Sequence, residues 1–178
     1  QAASNIRGMF AANQLTDIGA VSTWFNQANR LRTLQNVFSE NYKLNDISAL
    51  RNWNVVSVTD FSRFLAHTNV ESAEALNAWD TSSATDLSGI FKETKLKNLN
   101  GLQQWNVSKV TDFDETFMGL SGLNDASAIN AWDLSSGAKF KRMFALSHDN
   151  QYICNSTLPI FTVRTGKFDS NGTFIPNN

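Results

Sequence analysis

Tryptophan stands at positions 24, 53, 79, 105 and 132, so successive indoles are 29, 26, 26 and 27 residues apart. A period of this length is the mark of a repeat architecture and has to be read before any local structure. Apolar columns run in register with the indoles. Three residues ahead stand Val21, Leu50, Leu76, Leu102 and Ile129; six ahead, Ile18, Ile47, Ala73, Leu99 and Ala126; nine ahead, Leu15, Leu44, Val70, Leu96 and Leu123. After the Trp, the +2 column holds Val55, Thr81, Val107 and Leu134, and the +8 column holds Phe61, Leu87, Phe113 and Phe140. Units end near Phe10, Phe38, Leu65, Phe91, Phe117 and Phe144. Phe38 follows Trp24 by fourteen residues where the later units have twelve, which marks a two-residue insertion.

One such unit alone leaves a side of every column wet. Copies laid one on the next bury those columns against each other and pair any strand edges. The pattern therefore predicts an α/β repeat solenoid over residues 1–150, of about five to six units of ~26 residues. Within each unit, "SSATDL" and "SKVTDF" offer Ser, Thr and Asp oxygens as helix N-caps. The sets Phe61/Phe64/Leu65, Leu87/Ile90/Phe91 and Phe140/Met143/Phe144 have the i, i+3, i+4 spacing of one helix face. A short helix is expected there, and a short parallel strand near the Leu and Trp positions. From about Gln151 the repeat stops. Alternation at Ile160, Thr162 and Arg164, followed by "DSNG", predicts a hairpin-like β cap over 151–178.

"WDTSSATDLSGIF", "WNVSKVTDFDETF" and "WNVVSVTDFSRFL" resemble the 26-residue repeat of bacterial surface proteins, the BspA-like leucine-rich-repeat group of lipoproteins and adhesins. The matching positions include Trp79, Asp80, Ser82, Thr85, Asp86, Ser88 and Phe91, and the likeness covers roughly residues 5–150. Phe or Leu replaces the group's Met at +8, and "WFNQANRLRTLQNVF" has lost most of the motif. The resemblance implies a leucine-rich-repeat-like right-handed coil at a bacterial cell surface, used for attachment.

Composition narrows the function. Charged residues are 17%, so Asn, Ser, Thr and Gln supply much of the polar surface, as is common in secreted and surface proteins. With 15 basic against 16 acidic residues there is no basic stripe to displace counterions, which speaks against a nucleic-acid partner. No apolar run reaches the ~18–20 residues of a membrane-spanning helix. The single cysteine, Cys154, cannot form an internal disulfide. A chain that starts at Gln1 is read as a processed or excised piece.

No nucleophile motif, phosphate loop or metal-binding His pair occurs, so no catalytic residue, metal or cofactor is expected. His67 and His148 share no motif, and Cys154 lacks a neighbouring base. The Thr–Asp column (Thr59/Asp60, Thr85/Asp86, Thr111/Asp112) is read as capping rather than a calcium ladder, which needs several oxygens converging from one turn. The indoles are read as core rather than as a sugar-stacking strip. The candidate ligand-binding residues lie just ahead of the Trp: Arg51, Asn52, Asn77, Gln103, Gln104 and Asn130. Amides both donate and accept, which suits glycan hydroxyls or peptide backbone. The expected function is a non-catalytic adhesion module, the exposed tip or ectodomain of an adhesin, fibre or lipoprotein. Its partner would be a glycan or protein on another cell, and it would form a homo-oligomer, a trimer if it tips a fibre. A structural spacer or assembly module is the alternative, with an enzyme third.

Overall fold

The computed structural model describes residues 5–26, 30–147, 159, 161 and 163–177. Its architecture corrects the expected class. The leucine-rich-repeat-like α/β coil, with a short helix and a parallel strand in each unit, is not what forms. The described backbone is mostly turns and irregular segments. The regular elements are four isolated 3-10 turns, Gly19–Val21, Ser48–Leu50, Glu74–Leu76 and Ser127–Ile129, and one two-stranded antiparallel sheet. In that sheet β1 (Gly166–Phe168) pairs with β2 (Phe174–Pro176) around a turn in which Gly172 has φ +70°. The domain boundary expected near residue 150 lies outside the described residues.

The expected helices fail for a backbone reason. Each repeat holds two left-handed residues where a helix would need right-handed ones: Arg63 and His67, Gly89 and Glu93, Glu115 and Gly119, Arg142 and Leu146. Left-handed conformations cannot be threaded into a right-handed helix of L-residues. The amides are also committed elsewhere. Phe61, Arg63, Leu65 and His67 donate their N–H groups to the carbonyls of Asp86, Ser88, Ile90 and Lys92 in the next repeat, at 2.8 to 3.0 Å. Between them, Phe64 and Ala66 donate back three residues, to Phe61 and Arg63. Every second N–H thus crosses to the following repeat and the others close local turns.

The expected parallel strands shrink to single bridges for a related reason. Thr33, Asp60, Asp86, Asp112 and Lys139 are bridged in parallel one after the next, with Asn5 joined to Thr33. Each pairing ends at once because the flanking residues turn. Short polar side chains set those turns. Ahead of the Trp, the carboxylates of Asp17, Asp46 and Asp125 accept the N–H two residues on, from Gly19, Ser48 and Ser127. Just after it Asn54, Asp80, Asn106 and Asp133 do the same. In the bridged column Asp60, Asp86 and Asp112 repeat the contact to Ser62, Ser88 and Asp114. Asx turns of this kind compete with regular structure, and the repeats around Trp53, Trp79, Trp105 and Trp132 hold two or three each.

The apolar columns gather into one hydrophobic core running from Ile6 to Phe174. Trp53, Trp79, Trp105 and Trp132 are buried, and each indole N–H donates to a carbonyl of the preceding repeat: Val21, Leu50, Leu76 and Leu102, at 2.9 to 3.1 Å. Trp79, Trp105 and Trp132 stack with centroids 6.3 and 6.4 Å apart and planes within 7° and 5°. Phe91, Phe117 and Phe144 form a second stack beside them. Trp24 differs: it is 37% exposed and touches Phe10 and Phe25.

From the C-terminal segment Phe174 packs on Phe140 and Phe168 on Phe144, with Phe161 against both Phe168 and Phe174. Gly172 supplies a carbonyl to the Phe144 N–H at 2.9 Å, as the next repeat would. The Arg164 guanidinium lies over the Phe140 ring and donates to the carbonyls of Leu134 and Gly137.

Candidate functional site

Three of the six candidate residues come together. Arg51, Asn77 and Gln103 line a shallow polar depression of about 420 Å³ with Glu74, Asn100 and Gly101. The first three each stand two residues ahead of a Trp, in three successive repeats. Glu74 and Asn100 stand five ahead of theirs. The 3-10 turns explain the grouping. Glu74 opens the turn Glu74–Leu76 and Asn77 caps its end, while Arg51 caps Ser48–Leu50. The two columns therefore sit at the ends of short turns whose apolar residues, Leu50 and Leu76, anchor in the core.

The third repeat departs from this scheme. No 3-10 turn forms at Asn100–Leu102; Gly101 takes φ +96° instead. A Cβ there would lie 2.4 Å from the Ala73 carbonyl oxygen and 2.7 Å from the Glu74 Cα. Only glycine lets this turn press against the preceding repeat. The Gly101 N–H donates to Gln103 Oε1 at 2.7 Å, which fixes that side chain with its amide oxygen inward and its NH₂ free to donate outward. Asn100 is held from behind by its own N–H, bonded to Asn98 Oδ1 at 3.0 Å.

Chemically the depression holds one guanidinium, one carboxylate and three amides. Arg51 and Glu74 lie too far apart for an ion pair among the described residues, so each can meet an outside group. None of the lining side chains is aromatic, and the neighbouring indoles are turned into the core. Ligands held here would be held by hydrogen bonds, not by ring stacking. The other candidates fall elsewhere. Asn52 and Gln104 are exposed but belong to the column next to the Trp, which does not reach the depression, and Asn130 is half-buried one repeat further on. Glu74, Asn100 and Gly101 were not among the candidates; the five-ahead spacing was the available signal for Glu74 and Asn100, and Gly101 stands four ahead.

A second, charged depression of about 290 Å³ lies on the bridged side, lined by Arg63, Ser88, Gly89, Asp112, Asp114, Glu115 and Lys141. Two of its carboxylates are paired internally. Lys92 pairs with Glu115 at 2.8 Å, Arg142 approaches the same carboxylate at 3.6 Å, and Lys139 pairs with Asp112 at 2.7 Å. The Lys92 hydrogen bond holds the Glu115 carboxyl below its ordinary value, against a smaller opposing effect of burial. His67 pairs with Glu93 at 3.1 Å. His148 and Cys154 lie outside the described residues. Among the described residues no three His, Cys, Asp or Glu side chains are grouped to hold a metal ion, and no helix is long and apolar enough to cross a membrane.

No curated protein and no solved structure matches the chain. A family model described as "Mycoplasma protein of unknown function, DUF285" matches residues 4–93 and again residues 64–156. The two matches overlap and together span most of the repeat region, so the chain is a member of the DUF285 family.

Proposed function

We propose that the protein is a non-catalytic cell-surface binding module, related to the BspA-like surface-protein repeats, that recognises a polar ligand on another cell. The observation that carries the reading is the depression shared by Arg51, Asn77 and Gln103. Three successive repeats each place a different hydrogen-bonding side chain at the same register, on turns anchored by buried neighbours. Scaffold positions repeat while this column varies, which is how a repeat surface acquires specificity. The mixed donors and acceptors suit the hydroxyls of a glycan or the backbone of a peptide. The setting would be extracellular, on a bacterial adhesin, fibre or lipoprotein.

The test uses the purified chain on a glycan array and on whole cells, beside a triple variant Arg51→Ala, Asn77→Ala, Gln103→Ala. Arg51 and Asn77 are exposed and Gln103 gives up one bond, from the Gly101 N–H, so the melting temperature should fall by only about 2–4 °C while binding falls at least ~10-fold, the loss of about one well-made hydrogen bond to a charged group. Binding that survives the triple substitution would move the site away from this depression. Blank arrays and cells with the parent chain would favour a spacer that projects another domain.

A further inference from the structure

We infer a second ligand site, for an oxyanion, in the groove between the last repeat and the C-terminal hairpin. The groove measures about 470 Å³ and is lined by Lys141, Arg142, Ala145, Leu146, Ser170, Asn171 and Thr173. The polar groups in that lining are nearly all donors. Lys141 and Arg142 bring two cationic heads, and Ser170, Asn171 and Thr173 bring hydroxyl and amide groups. The Thr173 hydroxyl oxygen accepts the Arg142 N–H at 2.9 Å, which leaves its proton to be donated elsewhere.

The second line of argument is the backbone. At internal junctions the second left-handed residue of a repeat donates its N–H to the next repeat. His67 gives it to Lys92, Glu93 to Met118 and Gly119 to Ala145, at 2.7 to 2.8 Å. Leu146 is the equivalent residue of the last repeat, with φ 58°. The hairpin replaces the next repeat at Phe144 and Arg142 only, through Gly172 and Thr173. The Leu146 N–H finds no acceptor among the described residues, and Leu146 lines the groove. A donor that the repeat geometry directs at the missing neighbour therefore faces the same space as two cations.

Of the carboxylates nearby, Asp114 turns Oδ1 to the Lys141 N–H at 2.7 Å and shares the neighbouring depression with Lys141. The Glu115 carboxylate is taken by Lys92 first and by Arg142 at longer range. Asp169 turns Oδ1 to the N–H groups of Asn171 and Thr173 at 2.8 and 2.9 Å. Lys141 makes no ion pair among the described residues. Charge-assisted bonds from Arg and Lys to a carboxylate, phosphate or sulfate are the strong class of hydrogen bond, and a backbone N–H adds direction. The ligand chemistry is an oxyanion on a small molecule or a sugar. This site is independent of the depression at Arg51.

The experiment titrates the full chain separately with sodium phosphate, sodium sulfate and sodium glucuronate at constant ionic strength, following backbone amide resonances. The Leu146 amide should shift and saturate with at least one probe. Lys141→Gln should weaken that probe at least ~10-fold, and Lys141→Gln with Arg142→Gln should abolish saturation. Lys141 is exposed, so the single variant tests the site even if the double variant fails to fold. Saturation by phosphate or sulfate but not glucuronate assigns an ester anion; the reverse assigns a carboxylate. Overturning results would be linear, unsaturated shifts with all three probes, or saturation at Leu146 that Lys141→Gln leaves unchanged.

Discussion

Replacing Trp105 with alanine should damage the fold far more than the same change at Trp24, and the difference can be worked out from their surroundings. Trp105 is 4% exposed and lies between two stacked indoles, with Phe61 and Phe91 against it. Truncating a buried Trp costs about 3–5 kcal/mol through lost transfer energy and the cavity left behind. The indole bond to the Leu76 carbonyl accounts for about 1 kcal/mol of this, and no more, because that carbonyl keeps the Trp79 N–H. Trp24 is 37% exposed, meets the Phe10 and Phe25 rings and has no indole hydrogen bond among the described residues. Its removal should cost about 1–2 kcal/mol. For a chain of this length each kcal/mol moves the melting temperature by about 2–4 °C. Calorimetry should then find Trp105→Ala lowered by roughly 6–20 °C and Trp24→Ala by roughly 2–8 °C, with Trp105→Ala the lower of the two. Equal shifts for the two variants would refute the reading of the central indoles as a buried, hydrogen-bonded spine.

Gly101→Ala forces a side chain into φ +96° with its Cβ 2.4 Å from the Ala73 oxygen, and should cost roughly 2–5 kcal/mol by denaturant melt. Gly8→Ala is the control: φ is +62° but nothing lies within 4 Å, so only the backbone cost of about 1 kcal/mol should appear. Acid should destabilise the fold. The Ser48 and Ser127 amides hold the carboxyls of Asp46 and Asp125 below their ordinary value, and the Ser82 and Ser135 hydroxyls, then amides, do so for Asp80 and Asp133. A carboxyl lowered on folding stabilises above its unfolded pKa and loses that contribution as pH falls through the folded one. The melting temperature should therefore hold from about pH 8 to 5 and drop below about pH 4. Changing these four Asp to Asn keeps the accepting oxygen and should flatten the acid limb; an unchanged limb would place the titration elsewhere.

Burial was legible in the sequence and backbone path was not, and the same residues show why. The spacing of the apolar columns selects most of the core, because register decides which side chains meet a copy on both sides; Trp24, in register but in the first unit, is 37% exposed. Leu50, Leu76, Leu102 and Ile129 are all buried. Conformation depends on something the spacing does not carry. Phe61, Phe64 and Leu65 fit one face of a helix, yet the chain reaches the same side-chain arrangement through left-handed Arg63 and His67. Glycine at 8, 89 and 119 hinted at left-handed positions. Arg63, His67, Glu93, Glu115 and Arg142 hid them, because such conformations are uncommon for residues with a Cβ. What holds the first four there is the next repeat: the N–H groups of Arg63, His67, Glu93 and Glu115 are each bonded to a carbonyl 25 or 26 residues on, and that of Arg142 to the Thr173 hydroxyl of the hairpin. A conformation fixed by a neighbouring copy cannot be read within one copy. The candidate site divides on the same line. The register two ahead of the Trp picked Arg51, Asn77 and Gln103, while Gly101 escaped. Its role is to let one repeat approach another, so it shows only when two repeats are set side by side. Replacing the repeat of Gly101 with a copy of its neighbour should thus preserve the core and change the depression, since the open turn at Gly101 that lines it would give way to a 3-10 turn like Glu74–Leu76.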